Sequence, residues 1–357
     1  MSVPVHFRLG SFSIAGGSPF AGLVLGEEVY AVNGLVAVER ALGLHLHGTD
    51  SVLGLLERWD ENFPALQAIA EALAGGPALA VLTTMTARPG SSATPAPVAA
   101  PLAALRVHPP VIPRQIFQAG ANYHKHVVDL IVDGAMSRDP GANREQLRAE
   151  AQAMMRKRAQ TGKPFVFMGL ASSLTGPYDP IIVPFDMQQP DWELELAAVM
   201  GRPARRVSRE EALGYVAGYT IANDVTARER VSRPDVPQMG MDWVASKGAP
   251  TFLPIGPFIT PARFAGDPQQ LRITLRLNGE VMQDESTADM IFSVARLIEF
   301  ISEHVQLLPG DLVLTGSPSG NGAHYNRYIR AGDVLEGEIT GLGALRNPCL
   351  VEWRPDG

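Results

Sequence analysis

From about residue 110 onward, apolar and polar residues alternate in short runs bounded by glycine and proline. "QIFQAG", "FVFMG", "IIVPF", "WELELAAVMG", "YVAGYTIAND", "LRITLRLNGE", "DLVLTG" and "VLEGEITGLG" each have the length and composition of a strand. Many short strands separated by turns favour a rolled or barrel-like sheet over a doubly wound one. Two segments break the rhythm with helical spacing. "NREQLRAEAQAMMRKRAQTG", residues 143–162, is strongly charged and predicts a solvated surface helix, or else a lid or subunit contact. "SVARLIEFISEHVQLLPGD", residues 293–311, has apolar residues at 294, 297, 298, 301 and 305, which form one buried stripe.

The first hundred residues read differently. "FAGLVLGEEVYAV" predicts a hairpin turning at Gly-Glu-Glu, and "SVLGLLERW" and "FPALQAIAEALAGG" have helical spacing. "TARPGSSATPAPVAAPLAAL" then reads as an irregular crossing segment. The expected organisation is a small N-terminal α+β domain over 1–105 and a larger, β-rich mixed α/β domain over 106–357.

Composition narrows the partners. The chain has 357 residues, 46% of them hydrophobic, enough for a substantial core. A formal net charge of -7 offers no basic surplus for nucleic acid. Small molecules fit better, with a cation to offset local negative charge. Cys349 is the only cysteine, so no internal disulfide forms. The N-terminal segment lacks a basic stretch followed by a long apolar core, and no run has the apolar length of a membrane span. A cytoplasmic protein with no membrane partner is the expectation.

The stretch "QQPDWELELAAVMGR" carries the chemistry. On a strand, i and i+2 share a face, so Glu193 and Glu195 project together and Trp192, Leu194 and Leu196 project oppositely. Two adjacent carboxylates away from bulk water need water, a proton or a cation. An exposed sheet face with two glutamates is the plain alternative. Downstream, "GYTIANDVTARE" ends an apolar strand in Asn223 and Asp224. Glu193, Glu195 and Asp224 would make an all-oxygen set suited to Mg2+, Mn2+ or Ca2+. Zinc is disfavoured because no Cys or His cluster joins them.

The motifs taken together resemble the fumarylacetoacetate hydrolase family. "QAGANYHKHVVD", "DWELELAAVMG", "GYTIANDVTARE", "SKGAPTFLPIGPFI", "TADMIFSVARLIEFIS", "LLPGDLVLTGSPSGNG" and "RAGDVLEGEITGLGALRNP" occur in family order, from about residue 111 to 350. The resemblance implies a β-roll or barrel with a small N-terminal domain, a divalent cation on Glu193, Glu195 and Asp224, an oxo-acid or diketo-acid substrate, and a homodimer.

It also implies residue roles. His126 would activate water as a general base, oriented by Asp129 three residues on. Asp129 stands where the family usually has Glu, a shorter arm. Lys247 would steady developing negative charge, although "GAPTF" replaces the aromatic and Asp that often follow this lysine. Gly316 and Ser317, with serine in place of the usual threonine, would hold a substrate carboxylate. Arg228 would pair with a ligand carboxylate or an active-site acid, and Tyr123 would shape the histidine loop. Cys349 reads as a buried structural residue. The leading expectation is hydrolysis of a carbon–carbon bond in a diketo-acid or acylpyruvate-like substrate through a metal-stabilised enolate. An oxo-acid decarboxylase, hydratase or sugar-acid lyase on the same site is the alternative. "VVDLIVDGAMSRDP" and "VSRPDVPQMGMDW" would line the pocket, and their Met and Trp residues permit an apolar or aromatic tail, or serve packing.

Overall fold

The computed structural model describes residues 4–14, 16–75 and 99–353. Strands β1 (Arg8–Ser13), β2 (Phe20–Leu25) and β3 (Glu28–Ala31) open the chain, and β2 and β3 form the expected hairpin. Helices α1 (Val36–Leu42), α2 (Val52–Leu56) and α3 (Trp59–Ala74) follow. Most of the expected crossing segment lies outside the described residues. It resumes in β4 (Ala99–Pro101) and β5 (Arg106–His108).

Strand β6 (Ile116–Gly120) runs into a helical hairpin of α4 (His124–Arg138) and α5 (Arg144–Thr161), which returns the chain to β7 (Phe165–Met168). Asn143 caps α5, its side-chain oxygen accepting from the Glu145 and Gln146 N–H groups. Only Ala151 and Met155 of α5 are buried, so its polar face is solvated as its charge pattern predicts. Short strands β8 (Leu174–Thr175), β9 (Ile181–Val183) and β10 (Pro190–Asp191) precede β11 (Leu194–Met200) and β12 (Val216–Asn223). Then come β13 (Thr226–Ala227), β14 (Leu253–Pro261), β15 (Arg272–Leu277) and β16 (Glu280–Ser286). The helix Val294–His304 buries Val294, Leu297, Ile298 and Ile301, four of the five stripe positions. Strands β17 (Leu312–Leu314), β18 (Val334–Ile339) and β19 (Gly343–Val351) complete the fold.

The expected β-roll or barrel does not form. The largest sheet runs β4-β3-β2-β1-β14-β12-β11-β17-β6-β7, with β5 on β1 and β8 on β14. It ends at β4 and β7, which do not pair. A five-stranded sheet runs β16-β15-β18-β19-β9, and β10 pairs with β13. Each sheet is open, and the architecture is mixed α/β. Alternation along a strand reports which face turns inward. It does not encode whether the first and last strands meet, which is a long-range pairing. The edge strands β4 and β7 have only three and four residues, a common way to keep an open edge from templating further strands.

Two apolar cores meet at β11. Leu194, Leu196, Ala198 and Met200 pack on one side with residues of the five-stranded sheet, including Ile273, Leu275 and Leu335. Ala197 and Val199 pack on the other side with the N-terminal helices, including Leu55, Leu66 and Ile69. Burial on both faces leaves β11 with no solvated side, so any carboxylate on it needs an internal partner. Among the described residues, no helix is long and apolar enough to cross a membrane.

Candidate metal centre

Strands β11 and β12 pair antiparallel, with Leu194 opposite Asn223 and Glu195 opposite Ala222. This register sets Glu193, just before β11, beside Asp224, just past β12. The Asp224 N–H donates to the Glu193 carbonyl at 2.9 Å. The two-residue repeat turns Glu195 to the same face as Glu193. One carboxylate oxygen from each of Glu193, Glu195 and Asp224 lies within 4.8 Å of the others, and all three residues are buried.

Neighbouring groups hold each carboxylate. The Gly316 N–H donates to Glu195 Oε2 at 2.6 Å. Gly316 has φ +88, and a Cβ there would lie 2.9 Å from the Ala119 carbonyl, so the turn needs glycine. Gln118 Nε2, on β6, donates to Asp224 Oδ1 at 2.6 Å. Lys247, at the end of the short helix Trp243–Lys247, donates from Nζ to Glu193 Oε2 at 2.8 Å, Asp224 Oδ2 at 2.5 Å and Thr226 Oγ1 at 2.7 Å. Arg228 bridges Asp191 Oδ2 at 2.7 Å and Glu193 Oε1 at 2.5 Å. The indole of Trp243 stacks on Phe167 at 3.9 Å, and the Phe167 ring lies 5.7 Å from Lys247 Nζ.

Charge shows what the cluster lacks. The carboxylates of Asp191, Glu193, Glu195 and Asp224 face Lys247 and Arg228, which leaves two negative charges unbalanced. Burial and the neighbouring Asp224 and Glu193 carboxylates push Glu195 well above the usual range. Burial raises Asp224 to about 6, against the pull of Lys247. Glu193 is also buried, but Lys247 and Arg228 outweigh that and hold it at about 2. A doubly charged cation would remove the deficit. Three hard oxygen donors without Cys or His fit such an ion.

His126 lies in the first turn of α4. Burial lowers its imidazole to about 4, so the ring is neutral near pH 7. Asn321 sits 3.1 Å from His126 Nδ1 and 3.1 Å from Arg228 Nη2. With its amide nitrogen toward the imidazole and its oxygen toward the guanidinium, Asn321 satisfies both, and the ring proton falls on Nε2. His126, Asp129, Arg228, Ser319 and Asn321 share a cavity of about 300 Å³. Asp129 lies one helical turn beyond His126, as its spacing predicts. Its carboxylate accepts from Arg148 Nη2 at 2.8 Å and from Ser319 Oγ at 2.9 Å. Among the described residues, no hydrogen bond joins it to His126.

The remaining predicted residues are also placed. Ser317 is buried, and its Oγ accepts from Gln283 Nε2 at 2.9 Å. Gln283 also accepts from the Leu194 N–H, so this pair ties the 316–322 turn to the start of β11. Tyr123 is fully buried, and burial with the nearby Glu195 carboxylate pushes its phenol up. Burial raises the Cys349 thiol to about 12, which leaves it inert as a nucleophile. Sequence reasoning did not assign Asp191, Gln118 or the Phe167–Trp243 stack. Asp191 carries the same two-residue repeat as Glu193 and Glu195, so its signal was present. Gln118 and the stack have no charge pattern to mark them.

The family model described as fumarylacetoacetate (FAA) hydrolase C-terminal matches residues 115–350. A 2,4-didehydro-3-deoxy-L-rhamnonate hydrolase of Sphingomonas sp. (strain SKA58) is 44% identical over 195 residues, 54% of this chain and 66% of that protein. The mitochondrial oxaloacetate tautomerase fahd2 of Xenopus laevis is 40% identical over 190 residues, 53% of this chain and 58% of that protein. The matches thus span less than two thirds of either curated relative. A solved structure of a probable 2-hydroxyhepta-2,4-diene-1,7-dioate isomerase from Mycobacterium abscessus superposes with TM-score 0.65 at 27% identity, covering 98% of this chain and all of that one.

Proposed function

Because the chain belongs to the fumarylacetoacetate hydrolase family, we propose that it is an enzyme acting on a small oxo-acid or diketo-acid at the Glu193–Glu195–Asp224 cluster. Mg2+ is the proposed resident ion, with Mn2+ or Ca2+ as substitutes, and a homodimer the proposed assembly. A divalent ion held there would polarise a chelating oxo-carboxylate and offset negative charge on its carbonyl oxygen. The chain's own residues do the rest. Lys247 and Arg228 orient Glu193, Gln118 orients Asp224, and Gly316 orients Glu195. His126, neutral near pH 7, exchanges a proton with the carbon beside the carbonyl. Asn321 positions the ring through its hydrogen bond to Nδ1.

The reaction this reading favours is proton transfer at that carbon, as in an oxo-acid isomerase or tautomerase, hydratase, decarboxylase or sugar-acid lyase. The observation that supports it is the engagement of Asp129 by Arg148 and Ser319, which leaves His126 without the hydrogen-bonded carboxylate that an activated water would call for. Tautomerase and isomerase relatives point the same way. Carbon–carbon hydrolysis is the second reading, favoured by the 44% identical hydrolase.

The test is metal-dependent deuterium exchange at carbon 3 of pyruvate in heavy water, followed by NMR. Exchange should require Mg2+ or Mn2+ and fall about 100-fold or more in His126→Ala. If wild type shows no exchange yet splits an acylpyruvate, hydrolysis takes its place. Exchange that survives in His126→Ala removes the histidine from the reaction.

A further inference from the structure

The cavity beside His126 runs outward along α4, away from the carboxylate cluster, between that helix and residues 319–324. Apolar atoms make up most of its lining, and a few polar groups are set among them. Asp133, Ser137, Ser319 and His324 line it with Asp129, and Leu130 is its one large apolar side chain. None of the Met and Trp residues that the sequence offers for an apolar or aromatic tail lines it.

The charges on this wall are not neutral toward a ligand. Arg228 is the one lining arginine, and Asp191 and Glu193 already occupy it. Arg148 and Arg144 reach Asp129 and Asp133 without lining the cavity themselves. A second carboxylate entering here would approach two aspartates with no unengaged arginine to receive it. A hydroxyl group would meet the opposite situation. Asp133 Oδ1 accepts from Arg144 at 2.8 Å, whereas Oδ2 lies 3.9 Å from His324 Nδ1 and accepts no hydrogen bond among the described residues. Ser137 Oγ donates to the Asp133 carbonyl at 2.8 Å and keeps its lone pairs for another donor. Alcohols both donate and accept, so they can use carboxylate, hydroxyl and imidazole together.

We propose that this cavity receives the far end of the substrate and selects an uncharged, hydroxylated chain over a second carboxylate, with Asp133 as a specificity-determining residue. The substrate class is then a sugar-derived 2-oxo acid. This rests on the reading above, in which the oxo-carboxylate end sits at Glu193, Glu195 and Asp224.

The test compares three six-carbon 2-oxo acids in the same exchange assay. They are 2-oxo-3-deoxygluconate with a hydroxylated tail, 2-oxoadipate with a carboxylate tail, and 2-oxohexanoate with an apolar one. Pyruvate, which has no tail, reads the underlying reaction separately. The expected result is a kcat/KM for the hydroxylated acid about 10-fold or more above the other two, since the apolar tail forgoes the contacts to Asp133 and Ser137 and the carboxylate tail adds like-charge repulsion. Asp133→Asn should raise the ratio of 2-oxoadipate to 2-oxo-3-deoxygluconate about 10-fold, and Asp133→Ser should move it in the same direction. If pyruvate exchanges but 2-oxoadipate matches the hydroxylated acid, or neither Asp133 variant moves the ratio, the tail proposal falls and the proposed function stands. Absence of exchange with every acid, pyruvate included, overturns both.

Discussion

Glu195→Gln should change sign with the metal. The carboxylate is buried, and Asp224 and Glu193 add to the cost of its charge. Without a cation, an amide removes that cost while its oxygen still accepts from the Gly316 N–H, so the variant should unfold at a higher temperature than wild type. With a cation the order reverses. An ion that binds only the folded chain at 100 times its Kd contributes about 2.7 kcal/mol. Unfolding entropy of about 2.1 cal/mol/K per residue over 357 residues gives about 0.75 kcal/mol per kelvin. Wild type should therefore gain about 4 °C. Losing one ligand weakens binding by at least the roughly 10- to 100-fold that outer contacts cost. At the upper figure, the same metal concentration adds only about 0.4 kcal/mol, less than about 1 °C. The assay is thermal unfolding followed by circular dichroism, after EDTA treatment and dialysis, with and without Mg2+ or Mn2+. A wild-type transition indifferent to Mg2+, Mn2+ and Ca2+ refutes the metal centre. So does a Glu195→Gln variant that keeps the full shift.

Three further outcomes follow from the same geometry. His126 is held at about 4 in the folded chain against 6.5 as its ordinary value, so the unfolded chain takes up the proton first as pH falls. Stability present above about pH 6.5 should be lost down to about pH 4, by up to about 3 kcal/mol, and urea titrations of His126→Asn should lack that component. Arg228→Ala strands Asp191 and Glu193 and should cost about 3–5 kcal/mol in urea unfolding, with Arg228→Lys recovering only part because one ammonium does not reproduce the two-carboxylate bridge. Asp129→Asn should lower kcat/KM less than about 10-fold and move the acidic limb of the pH–rate profile down, because the Asp129 charge raises the imidazole without a hydrogen bond to it; a larger loss of rate would show the carboxylate acting on His126 directly.

The strands that alternate or run apolar were legible because their burial follows the residue pattern directly, as β6, β11, β12 and β15 show. Strand β14 was not singled out. Its nine residues include Pro254, Pro257 and Pro261, which remove ladder donors and argue against a central strand. It nonetheless lies between β1 and β12, with a register irregularity between Tyr219 and Ile221 on its partner. Sheet closure was misjudged because no local pattern states which strands meet at the ends. The carboxylate cluster was legible because a two-residue repeat and a strand end set its geometry. The partners of Asp129 were not, since Arg148 and Ser319 lie 19 and 190 positions away. Only the return of α5 and the placement of the 316–322 turn bring them together.

The Phe167–Trp243 stack acts on the cluster as an electrical insulator. Two opposite charges 4 Å apart attract by about 1 kcal/mol in bulk water and by about 4 kcal/mol at the effective dielectric of a protein interior. Lys247 belongs to the second case because it is buried and the Phe167 ring, backed by Trp243, lies on one side of its ammonium, where water would otherwise weaken its hold on Glu193 and Asp224. Two uncharged rings thereby help set the strength of the lysine's hold on the carboxylates.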